Sequence, residues 1–415
     1  MTGLIVRKLV PFVYSLDVNT KTNLKVETLS AAGFGLFAGA FYPFFAVTAV
    51  RLGAAGALLA LITAAPFMGQ LFAVYWGHKS QESQKLPFVV ISGVLSRFTV
   101  ILLALTRSVE LFALLIILHF LLAAAGWPAY TGLMQKIYPM QFRGQIMGRL
   151  QFIMGLSRIG VTYMAGLWLD SYGYGWVFIG AGIFGIISSI IYSRIKEPEL
   201  PGKKANRSRF SLSQSWQLLK YDRVFRIALL GFFVFDLGNM LLAPIYPLFQ
   251  VEYLGLSNID IGRLSIFWIG GWFLTAPFWG QLVDRFQPIF LIMVAIGLFL
   301  ISPLIYFLNL PYQLLMLASF IQGAAGSSLE VGWINLMIKL GGDKSSQYSG
   351  IYLTLLGLRG LLGPLLGNLL LGFMEINFLF LVSPVFLVMG IIPFVFLLKQ
   401  RQLLLNSSGE KLVLE

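Results

Sequence analysis

Ala276-Pro277-Phe278-Trp279-Gly280-Gln281-Leu282, in the second half of the chain, repeats Ala65-Pro66-Phe67-Met68-Gly69-Gln70-Leu71 from the first, 211 residues upstream. Other matches keep the same order. Tyr42-Pro43-Phe44-Phe45 pairs with Tyr246-Pro247-Leu248-Phe249, Ala124-Ala125-Gly126 with Ala324-Ala325-Gly326, and Arg158 and Gly166 with Arg359 and Gly367. Matches in one order at nearly one offset mean a duplicated unit.

Each repeat falls in an apolar run long enough to cross a bilayer, which takes about 20 residues. Twelve runs qualify: residues 29–50, 55–76, 86–105, 111–134, 146–169, 176–192, 227–249, 261–283, 289–308, 311–336, 351–373 and 378–398. Six precede a polar stretch at 194–226 and six follow it. An even number of spans per unit sends both units into the membrane in the same direction, a parallel repeat about an axis along the membrane normal. The predicted fold is therefore an all-α polytopic membrane protein with twelve transmembrane helices in two pseudo-symmetric six-helix bundles. The predicted divisions are a cytoplasmic N-terminal segment 1–28, a bundle 29–193, a cytoplasmic linker 194–226, a bundle 227–398 and a cytoplasmic tail 399–415.

Composition agrees and excludes other classes. Of 415 residues 58% are hydrophobic and 11% charged, against about 25% charged in soluble domains. The net charge of +13 does not indicate a nucleic-acid partner, because the basic residues sit in gaps between apolar runs rather than on one soluble module. Cysteine is absent and the histidines are two, His78 and His119. No disulfide, thiol nucleophile or multi-histidine metal site follows, so no cofactor or metal and no enzyme chemistry is expected. The apolar stretch 9–14, cut by Pro11, is no signal-peptide core.

Lysine and arginine orient the chain, since they favour cytoplasmic loops. Of 30, 24 fall in segments on one side, only Arg51, Arg107 and Arg263 on the other, and three inside helices. Both termini and the linker are predicted to be cytoplasmic, in a multi-pass protein of the cell (inner) membrane. Within the linker Leu212, Trp216 and Leu219 share one helical face beside a basic cluster, the pattern of a tether on the anionic leaflet.

Gly280-Gln281-Leu282-Val283-Asp284-Arg285-Phe286 resembles the Gly-x-x-x-Asp-Arg loop motif of the major facilitator superfamily, and the chain is similar to that family from about Leu29 to Leu398. The resemblance implies its fold, transport of small solutes, and a gating role for Gly280, Asp284 and Arg285, the aspartate latching one conformation. The first half keeps Gly69 but has Ala73 and Val74 at the Asp-Arg positions, followed by Gly77-His78-Lys79. Gly363-Pro364 in helix 11 resembles a motif that the family's antiporters carry in helix 5; here Gly360, Gly363 and Gly367 read better as a small-residue packing stripe.

A charge at a helix centre costs roughly 2.5–3.5 kcal/mol on insertion scales, so each needs a partner or a wet cavity. Six titratable residues stand out inside the predicted spans: Arg97, His119, Arg158, Asp236, Glu330 and Arg359. Arg158 and Arg359 are repeat-equivalent and near helix midpoints, where repeat-built transporters bind substrate. They are either paired anion ligands or internal partners of Asp236 and Glu330. Gln151 and Thr162 extend the polar stripe of Arg158, and Trp127, Tyr130, Asn239 and Trp333 complete the candidate substrate set. Asp236 and Glu330 are candidate proton-coupling groups, because a carboxylate moving between dry surroundings and a cation changes its proton affinity. Arg97 and His119 read as structural.

The expected function is a proton-coupled secondary active transporter, working as a monomer in the lipid bilayer by alternating access on a small anionic solute. The alternatives are an exporter of amphipathic, drug-like or lipid-like compounds, and a non-transporting membrane receptor or assembly factor. The basic asymmetry generates a direct test. A reporter fused after Lys399 is expected to be active only in its cytoplasmic form, and activity confined to the outer side would reverse the topology.

Overall fold

Asp17 accepts hydrogen bonds from the backbone N–H groups of Asn19 and Thr20, which satisfies donors that a helix start leaves unpaired. The first helix therefore begins at Val18, well before the apolar run predicted to contain it. A computed structural model describes residues 16–72, 75, 76, 79, 84–198, 219–341 and 345–408. His78, Ala73, Val74 and Gly77, the linker positions Leu212 and Trp216, residues 1–15 and the end of the tail lie outside them.

Twelve helical segments follow one another: α1 Val18–Arg51, α2 Gly56–Leu71, α3 Lys85–Leu103, α4 Val109–Ile137, α5 Met140–Tyr172 and α6 Tyr174–Tyr192, then α7 Arg223–Tyr253, α8 Asn258–Arg285, α9 Pro288–Phe307, α10 Tyr312–Gly341, α11 Ser345–Leu371 and α12 Ile376–Ser408. Among the described residues ten of these are long and apolar enough to cross a membrane. The other two are α2, which is shorter, and α8, whose ends carry Asp260, Arg263, Asp284 and Arg285. α1 and α7 each break once, at 42–44 and at 242–244. The cause in each is a proline, which has no N–H for the helical ladder. In α7 the break falls at Pro244 rather than at Pro247, the residue that matches Pro43 in the sequence repeat.

The chain divides into two compact units, 1–48 with 72–207, and 49–71 with 208–415. The predicted boundary put α2 in the first bundle; by contacts it groups with the second. Its neighbour there is α11, where Gly357 faces Leu71, Gly360 faces the ring of Phe67, and the Asn368 amide meets the backbone of Gly56 and Ala57 at 3.1 and 3.2 Å.

Glycine sets how closely helices approach in both units. In the first, Gly35 and Gly39 of α1 lie against the carbonyls of Met154 and Arg158 on α5. In the second, Gly363 and Gly367 of α11 lie against the backbone of Met240 and Leu241 on α7. Gly271 of α8 and Gly323 of α10 lie against each other's helix, at Phe320 and Trp268. The stripe on α11 thus does pack, through Gly363 and Gly367, onto α7. Between apolar surfaces in lipid, such close approach is what helices gain from one another.

The start of the linker is fastened to the first unit. Asn23 exchanges two hydrogen bonds with the backbone of Lys196. The Glu197 carboxylate sits at the N-terminus of α3, accepting from the N–H groups of Lys85 and Leu86, and pairs with Lys136 at 2.9 Å. Burial would raise its pKa, but these donors together hold it below the usual carboxylate range.

A substitution pair tests the packing. At Gly367 even a methyl group would meet the Leu241 carbonyl, whereas nothing lies within 4 Å of a Cβ at Gly160. Gly367→Ala is expected to destabilise by about 1–3 kcal/mol, the usual cost of overpacking. Gly160→Ala is expected to be neutral or slightly stabilising, since alanine is the better helix former. Melting of the purified variants checks both, and equal effects would contradict this packing.

Candidate functional site

Four of the residues singled out in the sequence lie in the second unit and are engaged there. Arg359 and Asp236 are 1% and 4% exposed. The Arg359 Nε lies 2.7 Å from Asp236 Oδ2, although its N–H is not aimed at an acceptor. The contact is best described as a buried ion pair with the guanidinium turned off line. It lies 5.0 Å from the ring centre of Tyr352. Asn239 donates to Asp236 over a long 3.4 Å. Trp333 stacks on Tyr352 at 3.7 Å and edges onto Phe232 in the apolar core. Of the two possibilities left open for Arg359, its geometry is that of an internal partner of Asp236. Glu330 is exposed on α10 beside the indole of Trp272.

Asp284 and Arg285 are exposed at the end of α8. With Pro288 at the start of α9 and Asn335 and Lys339 of α10 they line a groove of ≈ 550 Å³. Among the described residues neither Asp284 nor Arg285 forms an ion pair. Gly280 has open space where a side chain would be.

The first unit holds a different arrangement. α1, α3, α4, α5 and α6 enclose a cavity of ≈ 370 Å³, within the range of small-molecule pockets. Trp127, Tyr130 and Gln151 of the candidate set line it. Trp127 is 65% exposed and stacks on Tyr130 at 5.9 Å. Arg158 is not in its wall but lies within electrostatic reach of Tyr42, which is. Thr162 is fully occupied, its hydroxyl donating to the carbonyls of Gly39 and Arg158; its role is to join α1 to α5.

Three lining residues went unrecognised as site residues in the sequence. Arg97 enters the cavity from α3, with Gly93 and Gly185 leaving room for its side chain. Its guanidinium lies 5.3 and 5.4 Å from the ring centres of Phe34 and Phe37. Among the described residues no carboxylate pairs with Arg97 or with Arg158, and the Nε of each is buried without an acceptor. His119, expected to be a packing residue, is held through Nδ1 at 2.7 Å from the Ser96 carbonyl and also faces the cavity. Glu27 is 2% exposed and accepts hydrogen bonds from Tyr130, at 2.9 Å, and Tyr138.

Glu27 does not neutralise Arg97. Phe34 and Phe37 are seven and ten residues further along α1, which at 1.5 Å per residue puts the charges roughly 10–15 Å apart. At an effective dielectric of about 20 and roughly 10 Å the attraction is about 1.7 kcal/mol, against about 4 for charges in contact at 4 Å. Aromatic faces add about 1–2 kcal/mol for a half-buried cation such as Arg97. The end of the cavity around Arg97, Tyr42 and Arg158 is therefore electropositive and lacks a counter-charge, whereas the equivalent of Arg158 in the other unit has one.

The model of the Major Facilitator Superfamily matches residues 28–309 and again 228–412. Among solved structures, the nucleoside transporter NupG is similar at a TM-score of 0.68 and 15% identity, over 91% of this chain and 98% of that one. A bacterial homologue of the human lysosomal transporter Spinster, inward-facing and unoccupied, is similar at 0.64 and 14%, over 92% and 95%. At these identities the likeness is one of fold. No curated protein matches.

The ion pair of the second unit makes a stability prediction. Arg359→Gln or Asp236→Asn alone leaves one buried charge uncompensated and is expected to cost about 3–5 kcal/mol. The double variant is expected to recover most of that loss. Ligand-free melting of the three proteins checks it, and additive losses in the double variant would dissolve the pair.

Proposed function

Since the chain belongs to the major facilitator superfamily as a secondary transporter in the membrane, we propose that its cargo is a small organic anion, moved by alternating access and coupled to protons. The observation that carries this is the pair of arginines in the first unit, Arg97 and Arg158, both within electrostatic reach of Tyr42 and, among the described residues, without an acidic partner. Both are half-buried with a sealed Nε, and a cation partly withdrawn from water is stabilised by an opposite charge. An anionic substrate supplies one.

The apolar wall narrows the class. Phe34, Phe37, Trp127, Tyr130, Met147 and Met154 surround the cavity, which suits a carboxylate on a hydrocarbon or aromatic body better than an inorganic ion. This joins the anionic reading to the amphipathic one. Gln151 and the hydroxyl of Tyr42 are available as orienting hydrogen-bond groups.

For coupling, Asp236 and Glu330 remain the proposed groups in the second unit. Asp236 exchanges its arginine for a proton when the ion pair opens; Glu330 forms no ion pair among the described residues. Both termini are proposed to be cytoplasmic and the transporter to act as a monomer in the cell membrane. Asp284 and Arg285 are proposed to gate through the groove they share with Asn335 and Lys339, with Gly280, one turn before Asp284 on the same helix, as the third member of the proposed gate.

Proteoliposomes on a solid-supported membrane test this. Addition of phenylacetate is expected to evoke a transport current and phosphate a smaller one. Arg97→Gln is expected to raise the half-saturating concentration about ten-fold to a hundred-fold, as for loss of a charge-assisted hydrogen bond of about 1.5–3 kcal/mol. Arg158→Gln, at a residue outside the cavity wall, is expected to raise it less, through the lost charge alone. Asp236→Asn or Glu330→Gln is expected to abolish accumulation driven by a pH gradient while leaving exchange. Currents from lipophilic cations and none from organic anions would put the drug-exporter reading in its place.

A further inference from the structure

The electropositive end of the first-unit cavity also contains a buried acceptor. His119 is 1% exposed, and its Nδ1 lies 2.7 Å from the Ser96 carbonyl oxygen. A carbonyl only accepts, so Nδ1 carries the proton. A second proton on Nε2 would make an imidazolium next to the uncompensated Arg97, one residue along α3 from Ser96, and two cations in one desolvated site repel. The ring is therefore neutral with a bare lone pair on Nε2, and that atom is buried without any partner.

Two unsatisfied groups of opposite demand thus face one cavity. Arg97 requires an anion, and His119 Nε2 requires a hydrogen-bond donor. Both border one ring of the cavity wall, with the Arg97 guanidinium 5.4 Å and the His119 ring 5.9 Å from the centre of Phe37. A water molecule would satisfy the histidine but not the charge. Glu27 does neither, since it is held by Tyr130 and Tyr138 at the other end of the cavity, roughly 10–15 Å away along α1.

We propose that the cavity binds an organic acid carrying a hydroxyl or ammonium group beside its carboxylate, with the carboxylate on Arg97, the neighbouring donor on His119 Nε2, and the apolar body along Trp127 and Tyr130. This rests on the anion reading of the same cavity and adds a requirement to it. A plain carboxylate fills only half of the constellation and leaves Nε2 unpaired. Sites built around a buried polar group discriminate strongly against ligands that lack its partner. Hydroxy acids and amino acids share the chemistry, and the charge on the ammonium separates them.

Calorimetric titration of the purified full-length protein distinguishes these cases with four probes: 3-phenyllactate, phenylalanine, 3-phenylpropionate and inorganic phosphate. Phenyllactate, phenylalanine or both are expected to bind at least about ten-fold more tightly than phenylpropionate, which has the same carboxylate and ring. Tighter binding of phenyllactate assigns the donor as a hydroxyl, and tighter binding of phenylalanine as an ammonium. His119→Phe is expected to erase the preference. His119→Gln is expected to keep it, because an amide can donate to Ser96 and still accept from the ligand. The wild-type ratio of the two acids decides the matter even if His119→Phe does not fold. Phenylpropionate binding as tightly as the others, with Arg97→Gln abolishing all of them, overturns the donor requirement and leaves the anion site standing. Binding of all acids unchanged in Arg97→Gln, or no binding by any probe, overturns both.

Discussion

A positive charge inside a membrane-spanning bundle needs a partner or a wet cavity, because lipid will not stabilise it there. This chain meets that constraint in two ways at repeat-related helices. On α11, Arg359 is held by Asp236 of α7. On α5, Arg158 has no acid opposite it among the described residues, and α3 adds a second such arginine, Arg97, whose guanidinium lies by the faces of Phe34 and Phe37. Duplication made the halves alike, and the distribution of carboxylates made them different. The second unit has closed its charge internally; the first has left its charge for something else to complete.

The backbone packing makes that difference structural rather than incidental. Gly35 and Gly39 bring α1 against α5, and Thr162 ties the two through the carbonyls of Gly39 and Arg158. Gly93 and Gly185 open the space that the Arg97 side chain occupies. Replacing any of these with larger residues would shift the helices that frame the cavity, so the electropositive end is positioned by small residues at some distance from it in sequence. At the opposite end, Glu27 is fixed by two tyrosines of α4 and its C-terminal turn. The result is a cavity with a free cation at one end, a satisfied acid at the other and an aromatic wall between them.

Much of this was legible in the sequence. Run lengths and the ordered repeat specified helix number, order and duplication, and the α11 glycines read correctly as a packing stripe. Trp127, Tyr130 and Gln151 were recognisable as cavity residues because aromatic and polar side chains stand out in apolar helices. What escaped depended on contacts between distant segments. Which of Asp236 and Glu330 would meet Arg359 is a matter of which helix faces oppose, and no spacing within one helix decides it. Arg97 looked structural because α3 is expected at the periphery, whereas the space it fills is made by glycines on α3 itself and on α6. Glu27 was lost to a boundary drawn by hydropathy alone. The Asp17 cap and the face shared by Glu27, Ala31 and Phe34 would have carried α1 back far enough to include it. The grouping of α2 with the second unit likewise follows from Gly357 and Gly360 meeting Leu71 and Phe67, contacts that a symmetric six-plus-six division does not anticipate.

The anion is proposed to bind at the arginines of the first unit and not at Arg359. Anomalous diffraction from crystals of the protein soaked with 4-bromophenyllactate locates the ligand without any assumption about transport. A bromine peak is expected in the cavity of the first unit beside Trp127 and Tyr130, with the carboxylate on Arg97 and the Arg359–Asp236 pair intact. A peak beside Arg359, with Asp236 displaced from it, would put the anion site in the second unit instead.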